Sequence, residues 1–377
     1  TNSAMSRVWV EQVALRQDGR SIGVTESDGV RSGADENSAT PALSRSAAGP
    51  NPSRHRGVGT MRALSLNILA DQLARGSDSR VVESNPALPE DLRQCGAWGP
   101  PPANCSRRFR CLQQHLVWER RWPLLLDILL EHAPDLIALQ EVDLDPRGVH
   151  HGKQILEALT PHGYTGVFGK KKGSACDGLA LFWRRDRVVE HGPAVVVPLA
   201  DTVHVALEQP LLFDGVPVRV VCTHLKAGLN SEAEKTRSRQ AEALCSRLGP
   251  ADNIVLLGDL NAPCRDFHCL DESWQAPVAI PILKQHGLMS CYEAVQGEEP
   301  AYTSWAGWAH MEVRATFDYI MATAGVAPYR VLAMPDSTSI LSSTLRTPTP
   351  EYPSDHFALV VDIAIGKLAK KFRPESA

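Results

Sequence analysis

The sequence predicts one α/β domain between about residues 60 and 367, and three observations carry that expectation. Apolar runs of strand length recur along the chain. Between them lie one stretch with helical apolar spacing and one long polar stretch favourable to helix. At 43%, the apolar content of the 377 residues is ordinary for a soluble globular protein and sufficient for one sizeable core.

Residues 1–59 are rich in Ser, Ala, Gly and Arg and show no sustained period. Such composition buries too little surface to offset chain entropy, so a disordered tail is expected there. Glu11, Asp18, Glu26, Asp28, Asp35 and Glu36 make it too acidic for a transit peptide. Order is expected from Met61, and residues 62–69 alternate as a first strand. Residues 75–115 read as a surface insertion interrupted by Gly99-Pro100-Pro101-Pro102; their Cys95, Cys105, Cys111 and His115 match no standard zinc spacing. Residues 118–132 have helical spacing and stop before Ala133-Pro134. Residues 135–140, 178–183, 218–223, 254–258, 317–322 and 357–365 read as strands, and 231–248 as a helix. Residues 368–377 form a second expected tail.

Charge and cysteine usage exclude several partners. A net charge of −4 gives no global basic field, which argues against duplex DNA but permits a local basic rim. Nine cysteines without a CxxC pair suit reduced thiols, so a cytoplasmic location is expected, with a mitochondrion or other organelle as the alternative. The longest apolar stretches are too short to span a bilayer, so no membrane partner is expected. A monomer is expected.

The chemistry lies at the strand ends, where α/β proteins gather functional side chains. These ends carry Asn67, Gln140-Glu141, Thr223-His224, Gly258-Asp259-Leu260-Asn261, Asp318 and Ser354-Asp355-His356. One such case is an ordinary turn; the set in one chain is a pattern. Carboxylates and carboxamides suit a hard cation, Mg²⁺ or Mn²⁺, rather than zinc. HExxH, GxSxG and GxxxxGK[ST] are absent, which removes zincin proteases, α/β hydrolases and P-loop NTPases. A Mg²⁺ site flanked by histidines points to phosphate ester hydrolysis.

Leu66-Asn67-Ile68-Leu69-Ala70, Leu139-Gln140-Glu141-Val142-Asp143, Thr223-His224-Leu225-Lys226-Ala227, Gly258-Asp259-Leu260-Asn261, Phe317-Asp318-Tyr319-Ile320 and Tyr352-Pro353-Ser354-Asp355-His356 resemble the ordered motifs of the endonuclease/exonuclease/phosphatase superfamily. Trp118-Glu119-Arg120-Arg121 and the Thr-His-Leu-Lys-Ala sequence narrow the resemblance to the subgroup of nocturnin, the Angel proteins, the 2′-phosphodiesterase and the carbon-catabolite-repressor-type deadenylases. The resemblance implies two packed mixed β-sheets flanked by helices, a four-layer sandwich with the site at one end. It implies Glu141 as the direct Mg²⁺ ligand, Asn67 in support of metal and phosphate, and Asp355 at the metal side. Asp259 would orient or deprotonate the attacking water, and Asn261 would donate a hydrogen bond near the transition-state oxygens. The one-residue gap puts Asp259 and Asn261 on one side if extended geometry continues; a plain Asx turn is the competing account. Asp318 would hold the tautomer of His356, which donates beside the scissile phosphate. His224 resembles the family histidine at a phosphate oxygen.

Lys226, Lys171 and Lys172 are candidates for the basic rim, with a solvated loop as the bland alternative, and Asp177 matches a family position near the site. The expected substrate is a nucleotide, such as NADP(H) losing its 2′-phosphate, or the 3′ end of single-stranded RNA, with a 3′→5′ exoribonuclease (poly(A) deadenylase) or a 2′-phosphodiesterase or cyclic-phosphate RNA hydrolase as the alternative activity. The acidic balance leans toward the nucleotide. Where nocturnins carry arginine after Thr-His-Leu-Lys-Ala, this chain has Gly228, and a second basic position corresponds to Trp308 with Arg314 nearby. An inactive binding scaffold is the alternative of another class.

Overall fold

The computed structural model describes residues 7–11, 59–75, 109, 111–146, 148–250, 253–264, 277–307, 312–341 and 346–372. Cys95, Cys105, Trp308 and most of the 1–59 segment and of the 75–115 segment lie outside them.

In chain order the strands are β1 (Trp9–Glu11), β2 (Thr60–Asn67), β3 (Leu136–Asp143), β4 (Tyr164–Lys170), β5 (Asp177–Arg184), β6 (Val188–Glu190), β7 (Val195–Pro198) and β8 (Val205–Phe213). They continue as β9 (Val216–His224), β10 (Ile254–Asp259), β11 (Met289–Ser290), β12 (Ser304–Gly307), β13 (Glu312–Ala315), β14 (Asp318–Ala322), β15 (Val326–Leu332) and β16 (Leu359–Ile365). The helices are α1 (Asp71–Arg75), α2 (Trp118–Glu131), α3 (His151–Leu159), α4 (Ser231–Leu248), α5 (Ala279–Gln285), α6 (Cys291–Gln296) and α7 (Ser337–Leu341).

Two mixed sheets stack face to face. One runs β1-β15-β16-β2-β3-β5-β4; the other runs β11-β14-β10-β9-β8-β6, with β7 also on β8. The pairs β2/β3 and β9/β10 are parallel, and the remaining pairs are antiparallel. Strand alternation makes the layers. Leu136 and Ala138 of β3 enter the inter-sheet core with Leu207, Val220, Cys222, Val255 and Leu257. Ile137 and Leu139 point the other way, onto Leu125 and Leu129 of α2 and Ile155 and Leu159 of α3. In the second sheet, Leu256 and Met321 face Leu244 and Leu248 of α4 and Leu283 of α5. Both faces of each central strand are therefore covered, which is why these strands read as unbroken apolar runs. The expected four-layer sandwich is the observed fold.

Two expectations about the termini are corrected. Residues 7–11 are not part of a featureless tail, because β1 pairs with the edge strand β15. Trp9 packs against the guanidiniums of Arg62 and Arg330, 4.5 and 4.3 Å from its ring centroid, and edge-on to His132. Residues 368–372 are likewise packed: Ala369 is buried, and Phe372 stacks on Tyr329. In both cases one aromatic ring with a distant partner holds a segment that local composition leaves unmarked. The end of the expected insertion also packs inward, where Phe109, Cys111 and Leu116 form a buried cluster with Leu69 and Ala74.

Candidate active site

Register sets the site. Asn67 stands beside Gln140 in the first sheet, while His224, Asp259 and Asp318 form one row across β9, β10 and β14 in the second. Gly258 lets that second row close up: a Cβ there would lie 2.1 Å from the Thr223 carbonyl oxygen. Asn67 joins the two rows, its amide nitrogen donating to Asp259 Oδ2 (3.0 Å) and Glu141 Oε1 (3.1 Å).

Glu141 reaches the site through a local irregularity. The β3/β5 register shifts between Gln140 and Val142, and Glu141 takes φ 57°. A bulge of this kind re-aims a side chain that strand alternation would send elsewhere. Gln140 stays in the core, donating toward Ser65 Oγ and Cys222 Sγ. The second carboxylate oxygen of Glu141 accepts from Ala70 N (3.1 Å). Burial raises the pKa of Glu141, and the neighbouring Asp177 carboxylate adds to the rise.

Asp259 is surrounded by donors. Its Oδ1 accepts from Asn261 N at 2.9 Å, while Oδ2 lies 3.6 Å from His224 Nε2 and 3.8 Å from His356 Nε2. Both histidine separations exceed a hydrogen bond, so an oxygen at the apex could contact either imidazole and the carboxylate. His356 Nδ1 donates to Asp318 Oδ2 (2.9 Å), and Thr303 Oγ1 donates to the same oxygen (2.7 Å). Burial opposes the His356 imidazolium, but the carboxylates of Asp318 and Asp259 outweigh it and raise its pKa well above the usual value. Asp259 is pushed up to about 7, chiefly by burial, against the opposing pull of His356. His224 is held neutral by burial and by Lys171, whose Nζ donates to its Nδ1 at 3.1 Å.

The structure thus brings together Asn67, Glu141, His224, Asp259, Asp318, His356, Lys171 and Asp177; Lys171 and Asp177 form a buried ion pair at 2.7 Å. Asp355 is buried close enough to Glu141 to raise its pKa. Asn261 departs from the extended geometry considered for it. It has φ 49°, closes an Asx turn on Asp259, and sends its side-chain nitrogen to the Leu225 carbonyl (3.3 Å). Lys172 and Lys226 are exposed.

Further residues shape the site. Arg121, buried on α2, donates to the carbonyls of Ile68, Leu69, Pro353 and Leu116 and so ties together the loops carrying Asn67 and His356. Ser354 Oγ donates to the Asn67 carbonyl (2.7 Å). Arg121 and Ser354 fall inside recognisable motif blocks and Thr303 does not, but a sequence gives no sign that any of them acts by binding backbone or a neighbouring carboxylate.

The donor set suits a hard divalent cation on the Glu141 side. Glu141, Asp177 and Asp355 gather partly desolvated negative charge there, which an oxygen-preferring cation relieves. Asn67 faces these groups with its amide nitrogen, so it orients Glu141 and Asp259. Donor atoms of Asp259, Asp318 and His356 also lie within 4.8 Å of one another. In that second group, however, the imidazole is bonded to Asp318 and favours its protonated form, which is not a metal ligand.

Two mixed sheets with carboxylates, amides and imidazoles converging at one end form a site whose donor set suits phosphoester chemistry with a hard cation. The chain belongs to the Endonuclease/Exonuclease/phosphatase family, whose pattern matches residues 87–356. It is 29% identical over 335 residues to human Nocturnin, covering 83% of this chain and 66% of that protein. It is 28% identical to Nocturnin of Drosophila melanogaster, covering 68% of this chain and 43% of that protein. The chain therefore spans less than two thirds of these relatives. Among solved structures it is similar in fold to the human Nocturnin catalytic domain (TM-score 0.56, 24% identity, 82% of this chain and 94% of that one). It is similarly related to ANGEL2, a 2′,3′-cyclic phosphatase (TM-score 0.57, 18% identity, 81% of this chain and 96% of that one). No helix among the described residues is long and apolar enough to cross a membrane.

Proposed function

We propose that the chain is a Mg²⁺-dependent, nocturnin-like phosphatase that removes a phosphate from a nucleotide, with the 2′-phosphate of NADP(H) as the substrate to test first. The observation that carries this reading is the placement of Asp259, a buried carboxylate set between two imidazoles and an amide and pushed up to about 7 chiefly by burial. A carboxylate with that pKa is a competent general base near neutrality.

Glu141, with Asp355 beside it, would hold the cation, which when bound withdraws charge from a phosphate oxygen. Asp259 accepts a proton from the attacking water as the new P–O bond forms and the bond to the leaving oxygen breaks. His356, fixed by Asp318, donates from Nε2, and neutral His224 offers a second Nε2–H. Asn261 supports this arrangement through its backbone N–H on Asp259 and its side chain on Leu225. Lys171 supplies positive charge behind His224, anchored by Asp177.

The reading is tested with purified protein and NADP⁺, NADPH, a poly(A) oligonucleotide and a cyclic-phosphate-ended RNA, each with and without chelator. Metal-dependent release of inorganic phosphate from NADP(H) is expected. Shortening of poly(A) without phosphate release from NADP(H) would make the chain a 3′→5′ exoribonuclease instead. No hydrolysis and no Mg²⁺ binding would leave a scaffold.

A further inference from the structure

A second histidine–carboxylate pair stands one imidazole away from Asp259. His204 immediately precedes β8, and its ring meets that of His224 edge to face, with centroids 6.4 Å apart. Its Nδ1 donates to Asp201 Oδ2 at 2.5 Å. Asp201 is itself fixed: Oδ1 accepts from the backbone nitrogens of Val203 (3.0 Å) and His204 (2.7 Å), and Oδ2 accepts from Gln240 Nε2 (2.8 Å). Gln240 is fully buried on α4, and its Oε1 accepts from Lys226 N at 2.9 Å. One glutamine thus clamps the turn that presents His204 to the loop that presents Lys226. The adjacent loop is tied in as well, because Lys172 N donates to the Val203 carbonyl (2.9 Å).

His204 Nε2 has no hydrogen-bond partner among the described residues, and the side chain keeps 12% of its surface exposed. Burial lowers the pKa of His204 against the pull of Asp201 on the opposite nitrogen, and the nearby Lys171 and Lys226 charges lower it further, while His224 packs edge-on to the ring. An imidazole whose carboxylate partner is fixed by two backbone nitrogens and a glutamine, with its other nitrogen open near the buried Lys171 and the exposed Lys226, is organised to meet an anion.

We propose that His204, positioned by Asp201 and Gln240, binds the non-reacting phosphate of a nucleotide that carries two phosphate groups. With Nδ1–H engaged by Asp201, donation from Nε2 requires the imidazolium, so binding draws a proton onto His204 when the ring starts neutral. The proposal deepens the phosphatase reading above and rests on it for the choice of substrate.

Two measurements test it. Hydrolysis of adenosine 2′,5′-bisphosphate is compared with that of adenosine 2′-monophosphate in wild type, His204→Ala and Asp201→Asn. Loss of one charge-assisted hydrogen bond should raise KM for the bisphosphate by about tenfold, with most of the loss in KM rather than kcat. The monophosphate, lacking the group that His204 binds, should lose far less. Equal losses on both substrates, or none on either, would overturn the proposal. Histidine ring NMR of chelator-treated protein gives a readout independent of turnover: adenosine 2′,5′-bisphosphate should raise the pKa of the His204 ring. Inorganic pyrophosphate serves as a second probe. A rise with pyrophosphate but not with the nucleotide keeps the anion subsite and removes the nucleotide reading. No rise with either probe overturns the subsite, even if the wild-type enzyme hydrolyses both nucleotides.

Discussion

Asp259 concentrates the local electrostatics of this molecule. Its carboxylate accepts from Asn67 and from the Asn261 backbone, lies near two imidazoles, and is pushed up to about 7 by burial. Asp259→Asn keeps the shape and removes the base, so turnover should fall on the order of 10²–10³-fold or more while the unfolding midpoint holds. Phosphate release at the wild-type rate from this variant would remove Asp259 from the mechanism. Glu141→Gln should instead lower Mg²⁺ affinity, because it deletes the charge that a hard cation needs. Calorimetric titration of the two variants separates the roles: Asp259→Asn should still bind Mg²⁺, and Glu141→Gln should bind it much more weakly. Gly228 belongs to the same scale. It has φ 124°, a conformation L-residues rarely adopt, and its carbonyl accepts from Arg237. A side chain such as arginine at that place would call for a different turn.

Elements position these residues through contacts that lie off the strands. Arg121 on α2 satisfies carbonyls from the loop after β2 and the loop before β16. Arg121→Lys loses the planar fork and leaves buried carbonyls unpaired, which should cost roughly 2–4 kcal/mol in urea unfolding. Activity should fall with it, since Asn67 and His356 flank the tethered loops; an unchanged unfolding midpoint would show that Arg121 does not tie them. At the other end of α2, His132 is pushed down to about 4 by burial, with the Arg7 and Arg62 guanidiniums adding to the effect. Its unfolded-state value is about 6.5, so the unfolded chain takes up the proton first as pH falls. The contribution to stability is present above about 6.5 and is lost as pH drops toward 4. Urea unfolding at pH 7.5 and 5.0 should show a smaller drop for His132→Gln than for wild type. Identical drops would mean that His132 does not titrate between the two states.

At the scale of the whole molecule, the two sheets bear on each other through side chains of β3, β5, β8, β9 and β10. Leu207 is fully buried in that layer, and Leu207→Ala should cost about 2–5 kcal/mol. Because Asn67 and Asp259 meet across the same gap, the sandwich is also what assembles the site. A variant that folds with normal stability after this truncation would show that the inter-sheet layer is looser than its packing implies.

The apolar runs of β3, β5, β9, β10, β14 and β16 were legible in sequence because both faces of each strand are buried, β2 was legible from the alternation of residues 62–69, and α4 spans the expected residues 231–248. The polar residues that close those strands were legible too, since a buried strand that ends on a carboxylate or imidazole stands out against its own composition. Strands β1, β8 and β15 were not read in advance. β1 exists because Trp9 finds two guanidiniums supplied by residues far along the chain, and no local window contains them. The bulge that aims Glu141, the turn that redirects Asn261 and the placement of His204 beside His224 likewise belong to the tertiary structure. By itself the sequence determined which chemical groups are present and which strands deliver them, because burial on two faces leaves a continuous apolar signature. Only the fold decided their protonation and aim, because burial, mutual distance and backbone irregularity arise when the two sheets close on each other.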